Sequence, residues 1–216
     1  MTFLTDVIDL YIERYDFFVK LLLEHIYLTF TAIIIITIIG LVLGIIMTRN
    51  KTLGSAVMSM VNIIYTIPSI ALFGFLVTVT GVGTKSALLA LIIYGLLPII
   101  RNTYVGINEV DPFLIQSAIG MGTTQNQLLF NVQLPLALPV IFAGFRTMVI
   151  MTIALGGIAS FIGAGGLGVA IWRGITTNFA AMTFAGSLLV ALLAIVIDVI
   201  LEKVEIIIRK KYMGTV

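Results

Sequence analysis

The chain offers few side chains that could carry out acid–base, nucleophilic or metal chemistry. It has one histidine, His25, and no cysteine. A catalytic or metal-binding role for His25 would need further His, Asp or Cys residues gathered near it, and only Glu24 adjoins it in sequence. We therefore expect His25 to lie at an interface near the end of an apolar helix. An enzyme is the least favoured class of function.

Asp198 is an ionisable residue near the end of a long apolar run. Glu202 follows it by one helical turn, and Lys203 comes next. A charged side chain in such a run is costly unless it reaches water or a partner of opposite charge. We expect Asp198 to reach the interface or to pair with Lys203, and a buried functional carboxylate is the alternative.

Two glycine patterns resemble phosphate-binding loops. Gly163, Gly165 and Gly168 spell G-x-G-x-x-G, but a dinucleotide site also needs a preceding strand and an acidic residue about 20 positions further on. Residues 81–86, GVGTKS, carry Thr84 where a phosphate loop needs glycine before the lysine. Both matches fail this test, so we expect no cofactor and no ATP site in this chain.

The elements that surround these residues are predicted to be membrane-spanning helices. The chain of 216 residues is 60% hydrophobic and 10% charged, with a mean hydropathy of +1.20. Apolar blocks of about 20 residues can cross a hydrocarbon core of roughly 30 Å as helices. We predict an all-α integral membrane protein whose partner is lipid rather than nucleic acid. Its five spans are predicted at residues 24–47, 56–80, 86–106, 137–159 and 180–203.

Basic residues predict the orientation of these spans, because Lys and Arg are retained on the cytoplasmic side. They follow the first and fifth spans, end the third and begin the fourth: Arg49, Lys51, Arg101, Arg146, Arg209, Lys210 and Lys211. With five spans, this places the N-terminus outside and the C-terminus inside. Residues 107–136 are then cytoplasmic.

Residues 158–179 are apolar but contain a group of glycines that interrupts any helix: Gly163, Gly165, Gly166 and Gly168. Irregular backbone at membrane depth is tolerated only against protein or a water-filled cavity. We expect an outer, partly re-entrant loop that lines a pathway. An extra short span is the alternative.

The segment of residues 109–136 is too short and too polar to cross the membrane. Asp111 and Pro112 predict a helix start, and Gly122 predicts the end of a helix over residues 112–121. Thr124 and Gln127 have the spacing of a capping box, which predicts a second short helix that ends at Pro135. From these residues alone, the pair could dock to a partner or lie against the membrane and the protein's own bundle.

The same segment resembles the coupling motif of permease subunits from binding-protein-dependent ABC importers. That motif reads E-A-A, three residues, G, nine residues, then I-x-L-P. The matching positions keep every spacing: Gln116, Ser117, Ala118, Gly122, Val132, Leu134 and Pro135. Gln replaces Glu, Ser replaces the first Ala and Val replaces Ile. The resemblance covers the whole chain and implies the type I importer transmembrane fold with cytoplasmic coupling helices.

The resemblance also implies the partners of the chain. The coupling segment would fit a groove on a cytoplasmic ABC ATPase dimer, which binds ATP and Mg, so that closing of the ATPases drives alternating access. A second permease subunit, identical or homologous, and an extracellular substrate-binding protein would complete a complex in the bacterial plasma membrane.

Two further stretches are similar to the branch of this family that imports quaternary ammonium osmoprotectants, namely glycine betaine, carnitine and choline. They are YTIPSIALFGFL at residues 65–76 and SFIGAGGLGVAIWRGI at residues 160–175. The expected pathway residues are Tyr65, Pro68, Ser69, Tyr94, Phe161 and Trp172. A methionine or other small-solute importer is one alternative. A channel or secondary transporter that works without an ATPase is a second.

Overall fold

The computed structural model describes residues 3–213, and helices joined by short turns make up this part of the chain. The all-α prediction is confirmed there. The ten α-helices are α1 (Phe3–Glu13), α2 (Tyr15–Thr48), α3 (Lys51–Tyr65), α4 (Ser69–Thr80), α5 (Thr84–Asn108), α6 (Pro112–Gly120), α7 (Gln125–Gln127), α8 (Leu134–Ala159), α9 (Gly168–Thr176) and α10 (Ala180–Met213). A π-helical turn (Leu128–Gln133) precedes α8, and a 3-10 turn (Ser160–Ile162) follows it.

Four helical stretches within residues 3–213 are long and apolar enough to cross a membrane, and a bent pair raises the number to five. They are Tyr15–Thr48, Thr84–Asn108, Gln125–Ile162 and Ala180–Tyr212. The first and last of these reach well beyond the predicted spans at residues 24–47 and 180–203.

The bent pair, α3 and α4, takes the place of the single span expected at residues 56–80. Its two helices meet at 96°. Pro68 has no N–H group and so cannot continue the hydrogen-bond ladder of α3. The amides of Thr66 and Ile67 instead bond only three residues back, and Leu72 restarts a helix by donating to the Pro68 carbonyl at 3.1 Å.

Helices α2, α5 and α8 pack together as the core of the bundle. Gly40 and Gly44 lie on the face of α2 that meets α5. A Cβ added at Gly40 would come within 2.1 Å of the Ile99 side chain, and one at Gly44 within 2.6 Å of Thr103. This glycine pair therefore allows α2 and α5 to pack closely.

The second short helix predicted to end at Pro135 does not end there. Helix α7 passes through the π-helical turn into α8, so that Gln125–Ile162 is a single helical stretch of 38 residues. The Leu134 amide bonds to the Leu129 carbonyl, five residues back. Such a wide turn tolerates the missing N–H of Pro135, which lies in the first turn of α8.

The bundle has two distinct ends. One end carries Arg49 and is called the basic end. There the last residues of α2 and α5 meet the stretch that contains α7. At the glycine-loop end, the residues 163–168 (the glycine loop) follow α8, and the Gly83 amide donates to the Ile162 carbonyl at 2.8 Å. Helix α1 packs on the start of α10 at this second end, where the Tyr11 hydroxyl donates to the Ala185 carbonyl at 2.8 Å.

Candidate functional site

Helix α6 is capped at both ends by its own sequence. The Asp111 carboxylate accepts the Phe113 amide at 2.8 Å, and Pro112 occupies the first turn. At the other end Gly122 adopts φ +82°, so its amide reaches the Ile119 carbonyl while the Thr123 amide reaches Ala118. This pair of bonds is a Schellman motif. The predicted start and glycine cap of this helix are confirmed, and the helix ends at Gly120.

The surface of α6 is unusually apolar for a short helix at the basic end of the bundle. Phe113 is 71% exposed and Met121, just past the helix, is 79% exposed. Of the motif positions, Gln116 and Ser117 are exposed, and only Ala118 is buried. Ile119, next to the buried Ala118, is 51% exposed. Exposed apolar side chains therefore lie on more than one side of α6 and at its end, and they are Phe113, Leu114, Ile119 and Met121.

The remainder of the polar segment begins with the predicted capping box. The Thr124 hydroxyl accepts the Gln127 amide at 3.3 Å, and the Gln127 side chain accepts the Thr124 amide at 2.8 Å. Beyond it the other motif positions, Val132, Leu134 and Pro135, are half-buried. They lie on the single stretch that continues into α8.

A cleft of about 390 Å³ separates this stretch from the ends of α2 and α5. Arg49, which lines it, donates to the Asn126 amide oxygen at 2.9 Å. This contact joins the end of α2 to the polar segment. From the sequence, Arg49 served only to predict the orientation of the spans.

Tyr65 and Tyr94 meet beside the break between α3 and α4. Their ring centroids are 5.8 Å apart in an edge-to-face arrangement. The Tyr94 hydroxyl donates to the carbonyl of Ile67, which lies in the break itself. Tyr65 is half-exposed and contacts the Met151 sulfur of α8 at 3.6 Å. The neighbouring Pro68 is exposed and Ser69 is half-buried.

Phe161 and Trp172 form a second aromatic pair, with ring centroids 4.7 Å apart and an angle of 37° between the planes. Phe161 lies in the 3-10 turn before the glycine loop, and Trp172 lies on α9 after it. Both rings are partly exposed. The six residues predicted for a pathway are thus brought together as two separate clusters, one at the helix break and one at the glycine loop.

The glycine loop connects two helices rather than a strand and a helix. Gly163, Gly165 and Gly166 all have φ near +80°. Because α8 precedes the loop, these glycines lack the strand that a dinucleotide site requires. Residues 158–179 form the 3-10 turn, this loop and α9, which has 9 residues and covers about 14 Å.

His25 is not interfacial, contrary to the expectation. Its side chain is fully buried between α2, α8 and the glycine loop, and its Nε2 lies 3.1 Å from the Ile153 carbonyl. The neighbouring Glu24 accepts the Gly166 amide at 3.1 Å. The sequence missed this contact because α2 begins at Tyr15, which sets residues 24 and 25 well inside the helix.

Asp198 pairs with Arg146 of α8, and the expected pair with Lys203 is wrong. Arg146 Nε lies 2.6 Å from Asp198 Oδ1, and its Nη2 lies 2.9 Å from Oδ2. Lys203 is five residues further along α10, which turns it about 140° away from Asp198. Glu202 and Glu205 share the Asp198 face and contact the same guanidinium at 3.4 and 3.1 Å. Within residues 3–213, no group of three or more His, Cys, Asp or Glu side chains is placed to hold a metal ion.

Three features define the transmembrane domain of a type I importer: the helix order, the broken second span and the polar segment that contains the capped helix α6. Solved structures share this fold. An inward-facing MetNI methionine ABC transporter superposes with a TM-score of 0.76 at 25% identity, covering 88% of this chain and 95% of that one. An amino acid ABC transporter crystallised with histidines has a TM-score of 0.75 at 20% identity, covering 98% and 99% of the two chains.

Residues 36–209 match the family of binding-protein-dependent transport system inner membrane components, and the chain belongs to that family. It is therefore a transport subunit of a membrane system, not an enzyme. The osmoprotectant import permease protein OsmW of Salmonella typhimurium is 38% identical, over 95% of this chain and 98% of OsmW. The glycine betaine/carnitine/choline permease protein OpuCB of Bacillus subtilis is 41% identical, over 84% of each chain.

A third relative is a single chain that joins two functions in its name. The ergothioneine transport permease/ergothioneine binding protein EgtU of Helicobacter pylori is 43% identical over 76% of this chain and 30% of EgtU. In that relative a permease and a binding protein are one polypeptide. Membership of the family implies a binding protein and an ATPase as partners of the present chain.

Proposed function

We propose that this chain is the permease subunit of an ATP-driven importer of quaternary ammonium osmoprotectants such as glycine betaine, carnitine and choline. The names of the relatives at about 40% identity support this substrate class. A cytoplasmic ATPase dimer hydrolyses ATP, a second permease subunit completes the pathway, and an extracellular binding protein delivers the solute. The basic end of the bundle faces the cytoplasm, in keeping with the retention of Lys and Arg on that side.

One observation carries the coupling part of this proposal. The motif positions Val132, Leu134 and Pro135 and the aromatic Phe161 lie on a single helical stretch of 38 residues, roughly 55 Å long. This stretch runs without a break from the cytoplasmic end to the outer loop. Force applied to its cytoplasmic end by an ATPase would therefore pass along a continuous helical backbone to the outer loop.

The exposed apolar side chains around α6 support docking to a protein rather than to the bundle. Phe113 and Met121 point away from the rest of the chain, and exposed apolar side chains in a group mark interaction sites. The motif residues Gln116, Ser117 and Ala118 belong to the same helix, and Gly122 ends it. We assign helix α6 to the groove of the ATPase.

The two aromatic clusters are assigned to the pathway of the solute. Aromatic faces attract quaternary ammonium groups through the ring quadrupole. Tyr65 and Tyr94, with Pro68 and Ser69 beside them, lie at the helix break, and Phe161 and Trp172 lie at the outer loop. The solute would meet these clusters in turn as it passes inward, so the binding protein can supply most of the selectivity.

The test is ATP-dependent uptake by the complex reconstituted in vesicles with its ATPase and binding protein. Labelled glycine betaine, carnitine, choline, ergothioneine and methionine are compared. We expect uptake of one or more trimethylammonium compounds and none without ATP. Uptake of methionine alone would overturn the substrate assignment but keep the importer class. Uptake that needs no ATPase would overturn the class.

A further inference from the structure

The glycine loop is held to α2 by a residue that the proposed pathway does not use. The Gly166 amide donates to Glu24 Oε2 at 3.1 Å, across 142 positions of sequence. The only ion pair of Glu24 among the described residues is with Lys20, at 4.0 Å and with Lys20 mostly exposed. Exposed pairs of this length contribute little. The loop amide is therefore the strongest contact of the Glu24 carboxylate.

The next residue along α2, His25, also packs against the glycine loop. The His25 ring is fully buried, and since a carbonyl can only accept, its Nε2–H donates to Ile153 of α8. Its Nδ1 faces Gly166 and has no hydrogen-bond partner in the part of the chain that the structure describes. Glu24 thus contacts the glycine loop, and His25 contacts both α8 and the glycine loop.

Three glycines allow this close approach. A Cβ at Gly165 would lie 2.6 Å from Glu24 Oε2, and one at Gly166 would lie 3.2 Å from His25 Nδ1. On α8, a Cβ at Gly156 would lie 3.1 Å from the His25 ring. Gly165 and Gly166 also have φ of +80° and +82°, which side-chain-bearing residues rarely adopt. The backbone of the loop can therefore pack directly against Glu24 and His25.

We propose that Glu24 and His25 form a latch that positions the glycine loop and, through it, the Phe161–Trp172 pair at the outer mouth of the pathway. Phe161 precedes the loop by two residues, and Trp172 lies on α9, which begins at Gly168. The inference rests on the proposed function only in that this pair contacts the solute. Glu24 is a positioning residue: it orients the loop by accepting the Gly166 amide and need not touch the solute itself.

The absence of cysteine from the sequence makes the latch directly testable. Ala164 is a half-buried loop residue, and Ala164→Cys introduces a single thiol. The rate at which a membrane-impermeant maleimide labels this thiol is measured in the complete nucleotide-free complex in vesicles. Glu24→Ala should raise the rate about tenfold, the value of one charge-assisted hydrogen bond. Glu24→Gln keeps an acceptor oxygen and should stay within about twofold of the parent.

Lys20→Ala is the matched control, because it removes the neighbouring charge and leaves the Glu24–Gly166 bond in place. Equal labelling rates in Glu24→Ala and Lys20→Ala would overturn the latch, and so would a Glu24→Gln variant that labels as fast as Glu24→Ala. If Glu24→Ala does not assemble with its partners, Gly166→Ala opens the same contact from the loop side and should also speed labelling.

Uptake separates a positioning role from simple support of the fold. In correctly assembled Glu24→Ala complexes we expect a raised KM for the solute with a nearly unchanged rate of ATP hydrolysis, and Glu24→Gln should restore the KM. An unchanged KM would overturn the positioning role. The labelling experiment contains no solute, so failure of the parent complex to import quaternary ammonium compounds would refute the proposed function and leave the test of the latch intact.

Discussion

Arg146 and Asp198 form a two-point ion pair that joins α8 to α10, with N–O distances of 2.6 and 2.9 Å. Bidentate geometry of this kind is the strongest form of the arginine–carboxylate contact. Both residues lie within helices long and apolar enough to span a membrane. The Arg146 side chain is 24% exposed, and its guanidinium is compensated by these carboxylates.

We predict that Asp198→Asn lowers the melting temperature of the detergent-solubilised complex by several degrees. The substitution removes the two-point partner of the guanidinium, and the loss is moderated because Glu205 remains at 3.1 Å. Glu202→Gln is the control. Glu202 contacts Arg146 at 3.4 Å and is 53% exposed, so its loss should cost under about 0.5 kcal/mol. Equal melting temperatures for the two variants would contradict the dominant role of Asp198.

A second prediction concerns the helix break between α3 and α4. The Ile67 carbonyl lies in the break and accepts the Tyr94 hydroxyl. Tyr94→Phe leaves that carbonyl without its side-chain donor and should cost about 1–3 kcal/mol, measured as a fall in melting temperature. Tyr65→Phe is a matched change, since the Tyr65 hydroxyl contacts only the weakly accepting Met151 sulfur at 3.6 Å.

We expect Tyr65→Phe to melt within a degree or two of the parent while the ring pair with Tyr94 is kept. If Tyr65→Phe proved the more damaging of the two substitutions, the break would be supported by Tyr65 and not by Tyr94. Transport measured on both variants then shows whether the geometry of the break also controls passage of the solute.

The local features of the polar segment could be predicted from sequence, and the long-range contacts could not. Asp111, Gly122 and Thr124 act on backbone groups within five residues, so their types and spacing determine what they do. Glu24 and Gly166 are 142 positions apart, and Arg146 and Asp198 are 52 apart. Which face one apolar helix presents to another is not encoded in a pattern that is apolar all round.

The bend at Pro68 and the continued helix at Pro135 have a common physical basis. Proline removes one donor, but the response of the helix depends on what else can satisfy the backbone nearby. Beside Pro68 the Tyr94 hydroxyl donates to the carbonyl of Ile67, 27 positions away, and the chain bends by 96°. At Pro135 a wide π-helical turn absorbs the change, and the helix continues.

The third prediction compares two glycines of α6 and its cap. Gly122 has φ +82°, whereas Gly120 is the last helical residue, and an added Cβ would have open space at either position. Gly122→Val should impair ATPase co-purification and uptake, because a β-branched residue is strained at positive φ and would disrupt the Schellman bonds. Gly120→Val should be tolerated. Normal docking and transport by Gly122→Val would argue against coupling through this cap.

The last prediction uses two adjacent glycines of α8. A Cβ at Gly156 would lie 2.8 Å from the Thr29 side chain and 3.1 Å from the His25 ring, but at Gly157 it would have nothing within 4 Å. Gly156→Ala should therefore force α2 and α8 apart and cost about 1–3 kcal/mol. Gly157→Ala should stabilise the helix by about 0.5–1 kcal/mol.

Melting temperatures of the two variants in detergent should thus move in opposite directions from the parent. The Ala164→Cys labelling rate separates the causes, because only the added Cβ of Gly156→Ala would meet His25, which lies beside the glycine loop. We expect faster labelling in Gly156→Ala and an unchanged rate in Gly157→Ala. Faster labelling in both would mean that the loop responds to any added volume in α8, and the position of His25 would then not be what holds it.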